Sequence, residues 1–320
     1  MNSCKKLIPH KLYPLISILA TLLVNSINFY QISMAINLSK KDEIMTSNYE
    51  WDWAIKNVTE FGDTDIYPFP IDHFIFKDNE KDIKNLLNKI ANDQINFKNN
   101  NPIFHEKSLA PSGYTGFRWG TQIDPIWNVY FLGLVLTASQ LIEDNRLNKK
   151  EKIVHSYRVL DKTSDTLDIA EGKIFDLNYG WKSFREESAK KAQDYDFVIS
   201  CDIADFYPRI YHHRLENALK NASVEDKLVK NILSILTDIS HGTSYGLPVG
   251  GPAARILSEI LLTATDKLLN VEGIQFCRFA DDYRIFASSK DEAYRHLIFL
   301  SEILFRNEGL SINKIKTKIT

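Results

Sequence analysis

Two adjacent carboxylates, Asp281 and Asp282, stand inside the apolar, aromatic run FCRFADDYRIF. Burial disfavours an ionised carboxylate and neighbouring carboxylates repel each other, so such a pair needs a cation or a network of donors. The flanks GIQFCRF and YRIFASS are rich in aromatic and β-branched residues and predict two short strands. The pattern therefore predicts a hairpin with the carboxylates at its tip. The ordinary alternative for an isolated Asp pair is a solvated turn.

Another carboxylate follows a buried strand further upstream. In DFVISCDIADFYPRI the apolar residues predict a strand that ends at Asp202, and Asp205 follows in the next turn. Pro208 then ends the extended segment before YHHRLENALKN, which predicts a helix. Taken alone, Asp202 and Asp205 are more typical of a turn that caps this helix than of a site.

The stretch SYGLPVGGPAARILSEILL combines a glycine-rich loop with the start of a helix. Pro252 suits the first turn of a helix, and apolar residues then recur at helical spacing. A glycine-rich loop lets a ligand approach the backbone closely, although Gly-Pro sequences most often mark only a turn.

Taken in this order and spacing, CDIADFY, GLPVGGPAA and FADD resemble motifs A, B and C of the reverse transcriptase palm, over about residues 196–320. The blocks YGLPVGGPAARILSE and FGDTDIYPFPIDHF, with VHSYRV and IEDNRL, resemble the bacterial defence-associated, abortive-infection type of reverse transcriptase. Two residues depart from the pattern. Val249 stands where many retroviral-type relatives have glutamine, and Phe279 replaces the tyrosine of the usual YADD box.

The resemblance implies a metal-dependent active site. Asp202 and Asp281 would bridge two Mg²⁺ ions, which Mn²⁺ could replace, with Asp282 close by and the backbone carbonyl of Ile203 completing one coordination shell. Magnesium prefers oxygen ligands and keeps waters and substrate phosphates in its shell, so a few carboxylates suffice. The ions would activate a primer hydroxyl and stabilise the pyrophosphate leaving group.

The same resemblance implies a nucleotide site beside the metals. The backbone N–H groups of Asp205 and Phe206 would bind the triphosphate, and Gly250 of the motif B loop would line the nucleotide site. Tyr207 would stack beneath the sugar and exclude a ribose 2′-hydroxyl. This arrangement favours deoxynucleotides as substrates.

Two basic residues are further candidates for contacts with phosphates. Lys316, in the motif D-like GLSINKIKTKI, would donate a proton to pyrophosphate, and Arg158, in VHSYRV, would clamp the triphosphate through its guanidinium. The alternative for each is a solvated surface charge, which fits Lys316 about equally well and Arg158 somewhat better.

The predicted fold is α+β, a right-hand polymerase with fingers and an antiparallel palm sheet packed by helices on one face. Residues 1–40 are predicted as an apolar N-terminal segment, 41–195 as an extension and fingers, and 196–320 as the palm. Helices are predicted in QIDPIWNVYFLGLVLTASQLIEDNRL and after Gly180, and INFKNNNPIFHEK as a surface loop. Because the chain ends just after the motif D-like stretch, no thumb is expected. The chain is then a fragment of a longer polymerase or needs another copy or a partner protein to hold its product.

Composition limits the remaining choices. The chain has 320 residues, 44% hydrophobic and 25% charged, which is typical of a globular protein. Its net charge of −2 contributes little to phosphate binding, so any grip on nucleic acid must be local, with candidates in REESAKKAQ and NKIKTKIT. Three cysteines without metal-ligand spacing indicate a reducing, cytoplasmic environment: Cys4, Cys201 and Cys277. The apolar PLISILATLLV predicts a packed helix, with an anchor at the inner membrane as the alternative and a cleaved export signal disfavoured.

The resemblance implies an RNA-directed or untemplated DNA polymerase that consumes deoxynucleoside triphosphates, takes an RNA template or primer, and works in bacterial antiviral defence. Two alternatives remain. One is a non-catalytic nucleic-acid-binding or assembly subunit with a palm fold, which the intact carboxylates disfavour. The other is a different palm-fold nucleotidyltransferase, such as an RNA polymerase or a nucleotide cyclase, which Tyr207 and the GLPVG loop disfavour.

Overall fold

The computed structural model describes residues 49–64, 66, 72–112 and 116–320. In this part of the chain the α-helices are α1 Trp51–Phe61, α2 Asp72–Asp78, α3 Glu80–Asn92, α4 Gln94–Asn100, α5 Pro125–Asn145, α6 Thr166–Ala170, α7 Trp181–Lys191, α8 Phe206–Arg209, α9 His212–Asn221, α10 Asp226–Ile239, α11 Pro252–Val271 and α12 Lys290–Ile303. A π-helical turn, Leu304–Glu308, continues α12. The strands are β1 His105–Ser112, β2 Gly116–Ile123, β3 Phe197–Asp202, β4 Phe276–Phe279, β5 Asp282–Ala287 and β6 Lys318–Ile319. The apolar segment predicted in residues 1–40 lies outside the described residues.

Four strands form one antiparallel sheet in the order β4-β5-β3-β6. The strands β4 and β5 form the hairpin that the apolar flanks of the Asp281–Asp282 pair predict, with the carboxylates at its tip. In the register between β3 and β5, Asp202 lies opposite Asp282. The α+β fold with an antiparallel palm sheet is therefore confirmed.

Helices cover both faces of this sheet, so the prediction of helices on one face is wrong. Along β5, Tyr283 and Ile285 enter the main hydrophobic core, which also contains residues of α11 and α12. Phe286, the residue after Ile285, packs instead with Phe184 of α7 and Cys277 of β4. Because successive side chains of a strand point to opposite faces, α7 lies on the second face.

The longest helix, α5, passes through the main core and is buried nearly all round. Asp124 caps its start, since its Oδ1 accepts hydrogen bonds from the backbone N–H of Ile126 at 3.0 Å and of Trp127 at 3.3 Å. By length and composition α5 could cross a membrane, but 83% of its most apolar window is buried within the protein. It is therefore a core helix against which α1 and α11 pack. Three predicted helices are confirmed: α5, the helix after Gly180 and the helix that begins at Pro252.

A second, two-stranded sheet contains β1 and β2 and exposes apolar side chains, among them Phe117 and Trp119. It contacts the palm where the backbone N–H of Thr121 donates to the carbonyl of Val249 at 3.0 Å. The prediction of a loop in INFKNNNPIFHEK is wrong, because α4 contains its first part and β1 begins at His105.

Candidate active site

The structure brings three carboxylates together at one end of the palm sheet. Asp202 ends β3, Asp282 begins β5 directly opposite, and Asp281 lies in the turn between β4 and β5. One oxygen of each side chain lies within 4.8 Å of the others. The backbone N–H of Ile203 donates to the carbonyl of Asp281 at 3.1 Å, which ties the end of β3 to the turn.

The turn reverses the chain within two residues, Ala280 and Asp281. Ala280 has a φ of 51°, in the left-handed region that a residue with a Cβ rarely adopts. This conformation places Asp281 beside Asp282 and Asp202 rather than continuing the strand. The predicted cluster thus depends on one unfavourable backbone conformation, which neighbouring groups must hold in place.

The electrostatics of the three carboxylates show that the cluster is short of positive charge. Burial, followed by the charges of Asp202 and Asp282, raises the pKa of Asp281 to about 7. Burial and Asp202 also raise the pKa of Asp282, while the positive charges of Lys316, Arg284 and Arg118 oppose this shift. A divalent cation among the three oxygens would supply the missing charge. Oxygen donors at this separation suit Mg²⁺ or Mn²⁺.

Asp202 is already contacted by two residues of the segment that precedes β6. Its Oδ2 accepts from Nζ of Lys316 at 3.0 Å and from Nδ2 of Asn313 at 3.3 Å, and its carbonyl accepts from the N–H of Asn313 at 2.7 Å. The hydrogen bond to Asp202 raises the pKa of Lys316, so its amine is protonated near neutral pH. Lys316 therefore reaches the site, and its role as a proton donor stays a prediction.

The residues that follow Asp202 run along the same edge. Asp205 and Phe206 begin α8, and Tyr207 packs partly buried beside Phe206, with ring centroids 5.4 Å apart. The phenol oxygen of Tyr207 lies 3.4 Å from Oγ of Ser258 on α11. Burial raises the pKa of this phenol. The backbone of Ile203, Asp205 and Phe206 is thus near the carboxylates, and the predicted contacts with metal and nucleotide stay predictions.

Aromatic rings flank the turn that carries Asp281. Phe279, in place of the usual tyrosine, lies 5.8 Å from Tyr157 and 5.4 Å from Trp181, measured between ring centroids. The guanidinium of Arg255 on α11 lies over the ring of Tyr157 at 5.2 Å. Tyr157 also has a left-handed φ of 45°. The segment VHSYRV therefore contributes an aromatic wall next to the carboxylates.

The prediction that Arg158 clamps the triphosphate is contradicted by its position. Its side chain is fully buried. The guanidinium donates to Oε1 of Glu143 at 2.8 Å, to the carbonyl of Leu147 at 2.8 Å and to the carbonyl of Val154 at 3.0 Å. With these donors engaged inside the protein, Arg158 has a structural role.

Gly250 has a packing reason to be glycine. Its φ is 129°, and a Cβ at this position would lie 2.3 Å from Oγ1 of Thr64. Thr64 belongs to the FGDTDI stretch, so the missing side chain lets this stretch pack against the motif B loop. The proposed contact between Gly250 and a nucleotide stays a prediction.

Sequence reasoning missed two residues that the structure brings to the site. Asn313 holds Asp202 through both its backbone and its side chain. Arg118 on β2 lies near enough for its charge to lower the pKa of Asp282. Asn313 could have been found from its position in the motif D-like stretch, whereas the β1–β2 segment gave no signal that connects Arg118 with the carboxylates.

An antiparallel sheet with three acidic side chains at the junction of β3 and the β4–β5 hairpin, packed by helices, defines a polymerase palm. Residues 138–320 match the family described as reverse transcriptase (RNA-dependent DNA polymerase). The chain belongs to this family. Among curated proteins no sequence matches it.

Solved structures with similarity to the chain include telomerases. Apo telomerase from Candida tropicalis is 13% identical, with a TM-score of 0.44, over 84% of this chain and 61% of that one. Telomerase from Candida albicans in complex with a TWJ fragment of telomeric RNA is 12% identical, with a TM-score of 0.42, over 73% of this chain and 47% of that one. This chain thus spans between about half and three fifths of the length of these telomerases.

Proposed function

We propose that this chain is the catalytic part of a metal-dependent DNA polymerase of the reverse transcriptase type, acting in bacterial antiviral defence. The observation that carries the proposal is the cluster of Asp202, Asp281 and Asp282 at the end of the palm sheet. Their oxygens lie within the reach of one cation, and the pKa of Asp281, raised to about 7, indicates a site that a cation would complete.

In this proposal the chain's own residues bind and orient the reactants. Asp202, Asp281 and Asp282 would hold the divalent ions, and the carbonyl of Ile203 would be a further ligand. When bound, these ions supply the charge that activates a primer hydroxyl and stabilises the pyrophosphate leaving group. Lys316, within 3.0 Å of Asp202, holds a proton next to the position of the leaving phosphates.

Tyr207 selects the sugar. Its ring packs against Phe206, and its hydroxyl contacts Ser258 on α11. A ring held on both sides gives way little, so a ribose 2′-hydroxyl would collide with it. The preferred substrates are therefore deoxynucleoside triphosphates.

In this proposal Arg118 on β2, and not Arg158, binds the triphosphate. The support is electrostatic, because the charge of Arg118 acts on Asp282 from the neighbouring β1–β2 sheet. A guanidinium suits bidentate contact with phosphate oxygens.

The defence role is supported by sequence resemblance alone. The FGDTDI stretch and the motif B loop, the two blocks that resemble the abortive-infection type, meet where Thr64 fills the space above Gly250. We expect an RNA template or primer, and a second copy or partner protein that holds the product. The proposed location is the cytoplasm.

Activity is tested with labelled deoxynucleotides and Mg²⁺, with and without added RNA, followed by sequencing of any product. The control is Asp281→Asn with Asp282→Asn, which keeps volume and removes charge. We expect the unaltered chain to incorporate deoxynucleotides and the control variant not to. Equal incorporation by the control would contradict the metal site, and no incorporation under either condition would favour a non-catalytic subunit.

The defence role needs a separate test in bacteria. Cells that express the unaltered protein should form fewer phage plaques than cells that express the Asp281→Asn, Asp282→Asn variant at equal abundance. Equal plaque counts across a broad phage panel would contradict the defence role without touching the polymerase assignment.

A further inference from the structure

Six charged side chains form a buried network directly behind the catalytic turn. It contains three arginines and three carboxylates, and all six side chains are less than one tenth exposed: Arg146, Arg158, Arg278, Glu143, Glu259 and Asp266. Glu259 joins its two halves, accepting from Arg146 at 2.6 Å and from Arg278 at 2.9 Å. Ser156 also donates to Glu259, at 2.6 Å. The network therefore links α5, the VHSYRV segment, α11 and β4.

Arg278 connects this network with the catalytic turn. Its Nε and one terminal nitrogen donate to Asp266 at 2.8 and 2.6 Å. Its other terminal nitrogen donates to Glu259 at 3.2 Å and to the carbonyl of Ala280 at 2.9 Å. The guanidinium thus holds α11 with one side and the turn with the other. Its planar fork makes this possible, and a lysine amine lacks that geometry.

The carbonyl of Ala280 belongs to the peptide group that leads into Asp281. Ala280 has the left-handed φ of 51°, which is unfavourable for alanine and persists only when surrounding contacts hold it. The hydrogen bond from Arg278 is such a contact. It fixes the orientation of the peptide plane and, through it, the direction in which the Asp281 side chain leaves the backbone.

The backbone of Arg278 is held as well. Its N–H donates to the carbonyl of Ile153 at 2.8 Å, and its carbonyl accepts from the N–H of His155 at 2.8 Å. The residue therefore cannot shift without moving the segment that contains VHSYRV. The position of the turn is set jointly by α11 and by this segment.

Stability alone does not account for such a network. Burying ions carries a desolvation penalty, and well-packed apolar replacements are often as stable as a buried ion pair. What charged, directional contacts add is a single fixed geometry. The element fixed here is the turn that carries the carboxylates.

We propose that Arg278 is a positioning residue that, supported by Glu259 and Asp266, holds Ala280 in its left-handed conformation and so sets the geometry of the metal site. The proposal rests on the proposed function, since it concerns the same carboxylates. In this proposal the carboxylates bind the metal, and the buried network sets the position of the turn that carries them.

The test measures Mn²⁺ affinity from the electron paramagnetic resonance signal of free Mn²⁺, together with the thermal unfolding of each variant. Arg278→Lys keeps the charge but cannot reach Asp266, Glu259 and Ala280 at once. We expect it to weaken Mn²⁺ binding about tenfold. Adding Ala280→Gly, which adopts the same φ without a Cβ, should restore most of the affinity.

The matched control is Arg146→Lys, because Arg146 is an equally buried member of the network that does not contact the turn. It should lower the unfolding temperature and leave the Mn²⁺ affinity of the folded protein unchanged. If Arg278→Lys fails to fold, Arg278→Met with Asp266→Asn removes one charge of each sign and replaces it in the comparison.

The outcomes separate the two proposals. If the unaltered chain binds no Mn²⁺, the metal site of the proposed function is wrong. If the unaltered chain binds Mn²⁺ and Arg278→Lys binds it equally well, the positioning role is wrong. Equal loss in Arg146→Lys, or no recovery on adding Ala280→Gly, would also overturn it by showing a general loss of packing.

Discussion

The described part of the protein contains two clusters of buried charge that come within three residues of each other along the chain, at Arg278 and Asp281, and they are built differently. In the network around Arg278, three guanidinium groups face three carboxylates. In the cluster at the sheet end, three carboxylates converge. The side chain of Lys316, whose amine contacts Asp202, is 62% exposed. The first cluster is balanced within the protein, whereas the second is an arrangement that a cation could balance.

Pairing with arginines affects the pKa of the network's carboxylates unequally, since burial still raises the pKa of Asp266 in spite of its contacts with Arg278. Burial would raise the pKa of Glu143, yet the charges of Arg146 and Arg158 hold it below its ordinary value. Asp281 lacks such neighbours, and burial with Asp202 beside it raises its pKa to about 7. An unbalanced cluster lowers the stability of the protein until a ligand binds. Its retention in a well-packed fold is therefore evidence for a binding task.

The largest expected effect comes from removing the unbalanced charges. Asp281→Ala with Asp282→Ala should abolish deoxynucleotide incorporation, because two of the metal-binding carboxylates are lost. The same change relieves repulsion with Asp202, so the unfolding temperature without metal should stay equal or rise. Both quantities are measured on one preparation. Retained incorporation, or a large fall in stability, would show that these carboxylates serve the fold instead.

The opposite result is expected from the balanced cluster. Glu259→Ala leaves Arg146 and Arg278 without their shared carboxylate, and loss of one partner of a buried ion pair costs about 3–5 kcal/mol. Urea unfolding measures this change. The control Glu272→Ala, at an exposed position just after α11, should change the free energy of unfolding by less than about 0.5 kcal/mol. A similar small change for Glu259→Ala would remove the distinction between the clusters.

Local patterns were sufficient to predict the carboxylates and the elements that position them. Asp202, Asp281 and Asp282 each stand where an apolar, β-prone run meets a turn, so their places at strand ends follow from the sequence alone. The helices α5, α7 and α11 have apolar periodicity or a recognisable first residue. The meeting of the three carboxylates followed from resemblance to a family rather than from periodicity.

The balanced network could not be predicted as a whole, because the contact that joins Arg146 to Glu259 links residues distant in the sequence. Glu259 and Arg146 are 113 residues apart. The residues next to Arg158 in the sequence do not indicate that its guanidinium is buried and paired with Glu143. An arginine inside the apolar strand FCRF was a signal for a buried acidic partner that sequence reasoning left unused. The β1–β2 sheet was missed because it is exposed, and its residues do not alternate clearly between polar and apolar.

A third prediction concerns the side chain between the two clusters. Tyr207 lies close to the end of β3. Its hydroxyl contacts Ser258, which precedes Glu259 in the sequence. Tyr207→Ala should increase the use of ribonucleotides relative to deoxynucleotides about tenfold, because the ring that blocks the 2′-hydroxyl is gone. Tyr207→Phe keeps the ring and should keep the selectivity. If both variants discriminate as the unaltered chain does, Tyr207 does not select the sugar.

The smallest expected effect comes from a buried carboxylate outside both clusters, and it tests whether burial by itself has the consequence seen at Asp281. Glu308 ends the π-helical turn and is 6% exposed. Burial raises its pKa to about 7, opposed by the charge of Arg214. Because the folded state holds the proton more tightly than the unfolded chain, the stabilisation is present below pH 4.5 and is lost as pH rises through 7.

Glu308→Gln keeps the neutral form at all pH values, so it should raise the free energy of unfolding at pH 8 by about 1–2 kcal/mol and change it little near pH 5. Thermal unfolding of both proteins between these pH values measures the difference, with the exposed Glu272→Gln as control. A difference that does not grow with pH would mean that Glu308 is stabilised as an anion, and that burial alone does not explain the shift at Asp281.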